Sequence, residues 1–363
     1  MHSVHGGWVE RFAASRKALK REKDFLMPQL TILVPTIGNR IDLLSRAIES
    51  ALAQTSPDIE IIVSDNGSTD ETPSVIARYS DPRLRTFRHF PTMPIMRHHE
   101  FALREARGEF MVCLSDDDCL EPEFAAEVLA AFDRTPHAAF VYTGCAIHYE
   151  DTQVPCVVGP PLESGADFLL NHYSGNREVC WCACVTRVRE IVELGPQPDD
   201  RIIGDMFYWT KLAFRGPVAC VPRVLAHYSL LRPRTQNDNI SHGTSPALWA
   251  RESRLMADEV MDASRLSGAT PEYLSKLEWE AQRHVARSAA NQFVWTRIRG
   301  AGLRDSFRWF LECVPYFAFT WPVVSRLAAA FLVPPAILRG VLLKSASRVA
   351  ASRFQARPTR TAD

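Results

Sequence analysis

The sequence predicts a mostly parallel α/β sheet flanked by helices, with a helical C-terminal appendage. Three observations predict it. Short runs such as Leu30 to Val34 and Ile59 to Val63 are apolar on both faces, as strands covered on two sides must be. The segments between such runs repeat their apolar residues at helical spacing, so strand and helix alternate in the manner of βαβ units. The length, 363 residues, suffices for one large α/β domain and a smaller appendage.

The first strand, Leu30-Thr31-Ile32-Leu33-Val34, is closed by Pro35, which has no N–H for a ladder. A helix follows, with Ile41, Leu44, Ala47, Ile48, Ala51 and Leu52 on one face, and Ile59 to Val63 is the next strand. The alternation continues through a helix around Ser74 to Tyr79, a strand at Leu84 to Phe87, a helix from Pro94 to Ala106 and a strand from Glu109 to Leu114. After Asp116-Asp117-Asp118, Pro122 opens a helix to Phe132, and Ala139 to Thr143 is again a strand. Later elements are a strand over Cys180 to Thr186, a helix Val188 to Leu194 stopped by Gly195, and a helix Asp205 to Phe214 stopped by Gly216.

The chain divides into four parts. Residues 1–27 alternate Trp8, Val9, Phe12 and Leu19 with Arg11, Arg16, Lys17, Lys20, Arg21 and Lys23, a basic amphipathic extension that suits either a solvated helix packed on the domain or a membrane surface. Residues 28–229 hold the α/β pattern. Residues 230–246 form a polar loop carrying Arg232, Arg234, Gln236, Asn237, Asp238, Asn239 and His242, and loops of that length act as lids or linkers. Residues 247–363 read as helices, apolar and aromatic between Phe307 and Leu343, with no run reaching the roughly 18 residues of a spanning helix. Its basic end, Lys344, Arg348, Arg353, Arg357 and Arg360, suits an anionic lipid surface; helices packed on the catalytic domain or across a dimer are the other reading.

Composition excludes some partners. Lys and Arg total 42, as do Asp and Glu, so no overall field favours nucleic acid. Nine cysteines without CxxC pairs or a secretory leader point to reduced thiols in the cytoplasm. Cys180, Cys182 and Cys184 would share one face of a strand, as buried thiols rather than a metal site, which needs sulfurs converging in space. His98 and His99 read as structural residues of their helix.

In open α/β sheets, ligands sit beyond the carboxyl ends of strands. Three such ends are polar here: Pro35-Thr36-Ile37-Gly38-Asn39-Arg40, Ser64-Asp65-Asn66-Gly67-Ser68-Thr69-Asp70 and Ser115-Asp116-Asp117-Asp118. Adjacent carboxylates repel one another and are tolerated at an exposed surface or around a cation. A triple Asp alone is commonly a helix-capping turn; its position after the apolar strand Phe110 to Leu114 favours a divalent ion. An EF-hand is excluded, since the Gly and distal Glu of that loop are missing.

Taken together, Thr31-Ile32-Leu33-Val34-Pro35-Thr36, Val63-Ser64-Asp65-Asn66-Gly67-Ser68-Thr69-Asp70, the run Glu100 to Glu109, and Leu114-Ser115-Asp116-Asp117-Asp118 resemble family 2 glycosyltransferases of the GT-A fold, over about Leu30 to Tyr228. The resemblance implies a nucleotide pocket lined by Pro35, Thr36 and Arg40, with Asp65 accepting from the donor base and Asn66 and Ser68 in the same turn. It implies that Asp116 contacts the ribose, that Asp117 binds the Mn²⁺ or Mg²⁺ bridging the diphosphate, and that Asp118 supports that site. His242 is a further candidate ligand to metal or diphosphate from the polar loop.

Sugar transfer also needs a base for the acceptor hydroxyl. Gly204-Asp205-Met206-Phe207-Tyr208-Trp209, with Leu212, Gly216 and Pro222, resembles the family segment in which an Asp opens a helix beside the acceptor, so Asp205 is the candidate base, although the family's Glu is Gly204 here. A helix-capping role is the alternative for Asp205. The implied partners are a nucleotide-sugar donor and a saccharide or lipid-linked acceptor at the inner face of a membrane. A nucleotidyltransferase of related fold would need a Gly-rich, Arg-containing loop after the first strand, which is missing; a catalytically silent scaffold is disfavoured by the presence of both Asp117 and Asp205.

Overall fold

Strand β1 (Leu30–Thr36) lies between β2 (Ile59–Asp65) and β4 (Phe110–Cys113), parallel to both, in a computed structural model that describes residues 28–149, 152–195, 204–231, 245–298, 302–316 and 320–355. The N-terminal extension, most of the polar loop and the end of the basic tail lie outside the described residues. β3 (Leu84–Arg88) pairs with β2, also in parallel, and completes one half of the sheet. β9 (Cys184–Arg187) then runs antiparallel between β4 and β6 (Phe140–Tyr149). β6 pairs in parallel with β10 (Val218–Leu231), whose other edge carries β5 (Cys119–Leu120) and β8 (Leu162–Glu163), while β7 (Thr152–Pro155) folds back on β6.

Alternate residues of β1 serve the two faces, as the strand period of two requires. Ile32 and Val34 pack in one cluster with Leu44 and Ile48 of α1 (Ile41–Leu52) and Phe124 and Val128 of α4 (Phe124–Arg134). Leu33 and Ile62 pack on the opposite face with Leu103 of α3 (Ile95–Arg104), Phe168 of α5 (Gly165–Ser174), Ile191 of α6 (Val188–Leu194) and Trp209 of α7 (Gly204–Leu212). Burying each of these large apolar side chains contributes about 1.5–3 kcal/mol, which is why the continuous apolar runs become central strands. The short α2 (Thr72–Ile76) starts earlier than the sequence suggests because Pro73 fits its first turn.

A third cluster joins α8 (Pro246–Leu266) and α9 (Pro271–Ile298) to α10 (Leu303–Cys313) and α11 (Trp321–Leu332) through Ala250, Ala286, Phe293, Cys313, Val323 and Leu327. The C-terminal region, ending in α12 (Pro335–Gln355), is thus in part a packed helical layer. Among the described residues, no helix is long and apolar enough to cross a membrane.

Two local expectations fail. Cys180 to Thr186 is not one strand: Trp181–Ala183 is a 3₁₀ turn, and only from Cys184 does β9 begin. The turn sends Cys182 and Cys184 into opposite clusters instead of onto one face. Strand β10, not among the strands expected from the sequence, also runs on through Leu231 into the start of the expected polar loop, with Pro222 in a bulge where the register to β6 shifts between Val221 and Val224. A proline is admitted at such a bulge because its missing N–H leaves no ladder bond unmade.

Candidate active site

The parallel register brings the polar strand ends level: Thr36 lies opposite Asp65, and Leu33 opposite Cys113, so the loops after β1, β2 and β4 open on one edge. The loop after β1 turns through two left-handed residues, Gly38 at φ +89° and Asn39 at φ +62°. A Cβ at Gly38 would lie 2.7 Å from that of Ser68, and the Asn39 N–H donates to Asp70 at 2.6 Å, so this loop is pressed onto the loop after β2. Gly38→Ala is therefore expected to cost about 1–2 kcal/mol for the left-handed backbone alone, and more for the overlap. A lowered melting temperature checks this, and unchanged stability would contradict the close approach.

The loop after β2 is held from within. Asp65, 2% exposed, accepts from the Ser68 N–H at 2.9 Å and the Ser68 hydroxyl at 2.8 Å, and its Oδ2 lies 3.2 Å from Arg88 Nε. The Asn66 N–H donates to the Thr36 carbonyl at 2.8 Å, and its side chain clamps the backbone of Met93 from both sides. Pro35 and Thr36 end β1 beside this turn.

The aspartates after β4 face the first loop. The Thr36 hydroxyl donates to Asp116 at 2.7 Å, and one guanidinium nitrogen of Arg40 reaches Asp116 at 3.1 Å and Asp117 at 3.3 Å. Burial pushes the Asp116 carboxyl up from its usual range, against the opposing pull of Arg40 and Thr36. The Asp117 side chain is the more open of these two, 18% exposed against 8%. Asp118 is buried, and one of its oxygens accepts from the Ser229 N–H at 2.9 Å. Its other oxygen receives no N–H or O–H among the described residues; the Cys182 thiol, a weak donor, lies beside the carboxyl. Burial, and then the charge of Asp117, push the Asp118 carboxyl well up. A buried carboxylate oxygen without a strong donor, next to a partly open second carboxylate, is the kind of hard oxygen set that accepts Mg²⁺ or Mn²⁺.

Asp205 occupies the first turn of α7, a helix held against the sheet by Trp209 and Leu212. Tyr208 and Trp209 of the same helix help line an apolar cleft with Leu33, Leu103, Met111 and Trp181, and none of the aspartates after β2 or β4 lines it. His242 lies outside the described residues. His98 is a core residue on the Ser64 hydroxyl at 2.7 Å, with burial pushing its imidazole down to about 3.

The structure adds residues that the sequence did not indicate. Ser229 supports Asp118 and donates from its hydroxyl to the Asp117 carbonyl at 2.6 Å, and Arg88 backs Asp65. Glu121, His227 and His148 form a chain, with contacts of 2.7 and 2.9 Å. Ser229 and His227 both lie on β10, whose bulge at Pro222 concealed the strand pattern.

Residues 31–157 match the profile described as Glycosyl transferase family 2. Over 160 residues the chain is 34% identical to the GalNAc(5)-diNAcBac-PP-undecaprenol beta-1,3-glucosyltransferase of Campylobacter jejuni, covering 41% of this chain and 50% of that one. It is 33% identical over 132 residues to the chondroitin synthase of Pasteurella multocida, covering 35% of this chain and 14% of the relative. The chain thus spans half or less of the length of these curated relatives. A crystal structure of S. aureus TarS residues 1–349 in complex with UDP-GlcNAc superposes with a TM-score of 0.55 at 17% identity, over 92% of this chain and 93% of that one, and so shares the fold. The profile match lies on the sheet and on the three loops that carry the aspartates, so residues 31–157 carry a family 2 glycosyltransferase region.

Proposed function

We propose that this chain transfers a sugar, with inversion, from a nucleotide-diphosphate donor to an acceptor hydroxyl in the synthesis of a cell-surface polysaccharide or glycolipid. The observation that carries the reading is the Thr36–Arg40–Asp116–Asp117 network, which ties the nucleotide loop to the acidic loop at the edge where the sheet opens. In it, Pro35, Thr36 and Arg40 line the nucleotide pocket, Asp65 accepts from the base while Asn66 and Ser68 fix its turn, and Asp116 takes the ribose. Asp117 holds a divalent cation, Mn²⁺ or Mg²⁺, with Asp118 behind it and His242 as a further ligand from the polar loop. When bound there, the ion neutralises the charge that builds on the leaving diphosphate. Asp205, at the start of α7, takes the proton from the acceptor hydroxyl as that oxygen attacks. Isothermal titration with UDP, GDP and dTDP, with and without Mn²⁺, tests the donor site: one nucleotide is expected to bind tighter with the ion, and no binding of any of the three would overturn the reading.

The acceptor in this reading is a saccharide or lipid-linked saccharide, and the enzyme works peripherally on the inner face of a membrane. The Campylobacter relative's undecaprenol-linked substrate supports this, as does the exposed row Leu303, Phe307 and Leu311 at four-residue spacing along α10, each more than half exposed and flanked by Arg304 and Arg308. Truncation is a poor test, since removing residues 309–363 would strip Val323 and Leu327 from Phe293. The variant carrying Leu303→Glu, Phe307→Glu and Leu311→Glu leaves that core in place. It is expected to stop sedimenting with anionic liposomes that retain the native chain at low salt. Native protein that never sediments, or equal sedimentation of the variant, would remove the membrane assignment. Salt is expected to weaken the native binding, because surface charges are screened over about 10 Å at 0.1 M.

A further inference from the structure

All nine cysteines are thiols; Cys145, Cys156 and Cys180 gather at one point, and Cys182 lies against both Cys145 and Asp118 of the acidic loop. Cys145 lies on β6, Cys156 follows β7, Cys180 precedes the 3₁₀ turn, and Cys182 lies within that turn. The Cys156 N–H donates to the Cys145 carbonyl at 2.7 Å across the β6–β7 hairpin, and the Glu178 N–H to the Val157 carbonyl at 2.9 Å, which fixes the approach of the three segments. The sulfurs of Cys145, Cys156 and Cys180 all lie within 4.8 Å of one another, and the Cys182 thiol contacts that of Cys145.

We propose that Cys145, Cys156, Cys180 and Cys182 form a binding site for a soft, tetrahedral divalent cation of the zinc class, separate from the carboxylates of the donor site. Zn–S bonds of about 2.3 Å place the sulfurs of a tetrahedral thiolate site about 3.8 Å apart. Cys156 and Cys180 are 3.8 Å apart, whereas a disulfide requires about 2.05 Å. Ordinary buried thiols fill space singly; here three sulfurs from three chain segments lie within 4.8 Å of one another and Cys182 lies against Cys145, with Cys145, Cys156 and Cys182 buried and Cys180 half-buried, so that a small shift of Cys182 toward the other three completes the count of a structural zinc site. Binding forms four metal–sulfur bonds and releases four thiol protons to solvent, with no oxidant or reductant. The site would lock the turn to the β6–β7 hairpin and so fix Cys182, which lies against Asp118, from behind.

The test uses the full chain, purified under reducing conditions. Elemental analysis is expected to find one zinc per chain that survives dialysis. Replacing it with Co²⁺ is expected to give the intense visible and charge-transfer absorption of tetrahedral thiolate coordination. Cys156→Ser with Cys180→Ser is expected to abolish both signals, while Cys113→Ser, on the other face of the sheet, keeps them, as does Asp117→Asn. Absence of zinc together with absence of the Co²⁺ bands in the native chain would overturn the proposal, whatever the variants do. So would a Cys156–Cys180 disulfide found by mass spectrometry, or bands that follow Asp117 instead of the cysteines.

Discussion

Asp205→Asn is expected to lower sugar transfer by roughly 10²- to 10⁴-fold, about 2.7–5.5 kcal/mol of barrier, while nucleotide affinity and melting temperature stay nearly constant. The substitution keeps an oxygen able to cap the start of α7 and keeps the side-chain shape, but removes nearly all capacity to accept a proton. The proposed donor pocket draws on the loops after β1, β2 and β4, in a different part of the chain from α7, so a loss confined to the chemical step is what separates a base from a binding residue. Steady-state kinetics with saturating donor checks it. Retained activity would reduce Asp205 to a helix cap, and NMR of the product tests the same role independently: configuration retained at the anomeric carbon would remove the reason for a base in a one-step displacement.

Asp117→Ala is expected to lower transfer by on the order of 10³-fold and to abolish the effect of Mn²⁺ on nucleotide affinity, since it deletes the more open carboxylate of the acidic loop. Stability is expected to change little. Arg40 keeps its contact with Asp116, and Asp118 loses a like charge that now raises its proton affinity. Calorimetric titration of the variant with and without the ion, beside a melting curve, provides the measurement. Nucleotide affinity that still rises on adding Mn²⁺ would place the ion elsewhere. The cysteine cluster distinguishes the two metal assignments, because hard carboxylate oxygens and soft thiolates select different cations.

The sequence by itself determined the elements that local chemistry specifies. Apolar runs such as Ile59 to Val63 have no stable place except the middle of a covered sheet, and the periodic face of Ile41 to Leu52 has none except against it. Because parallel strands end level, the polar residues after them had to share one edge, which let Thr36, Arg40, Asp65 and Asp116 to Asp118 be read from the sequence as one candidate site. Other features rest on contacts between residues far apart in the chain. Ser229 meets Asp118 across 111 positions through a strand that a proline bulge disguises, and His148 meets His227 across 79. Cys180, Cys182 and Cys184 read as one stripe of a strand, yet a single 3₁₀ turn sends Cys182 toward Cys145 and Cys184 to the other face. Periodicity reports which side of its own element a residue occupies; which distant residue it meets depends on how the elements pack, and only the tertiary structure decided that.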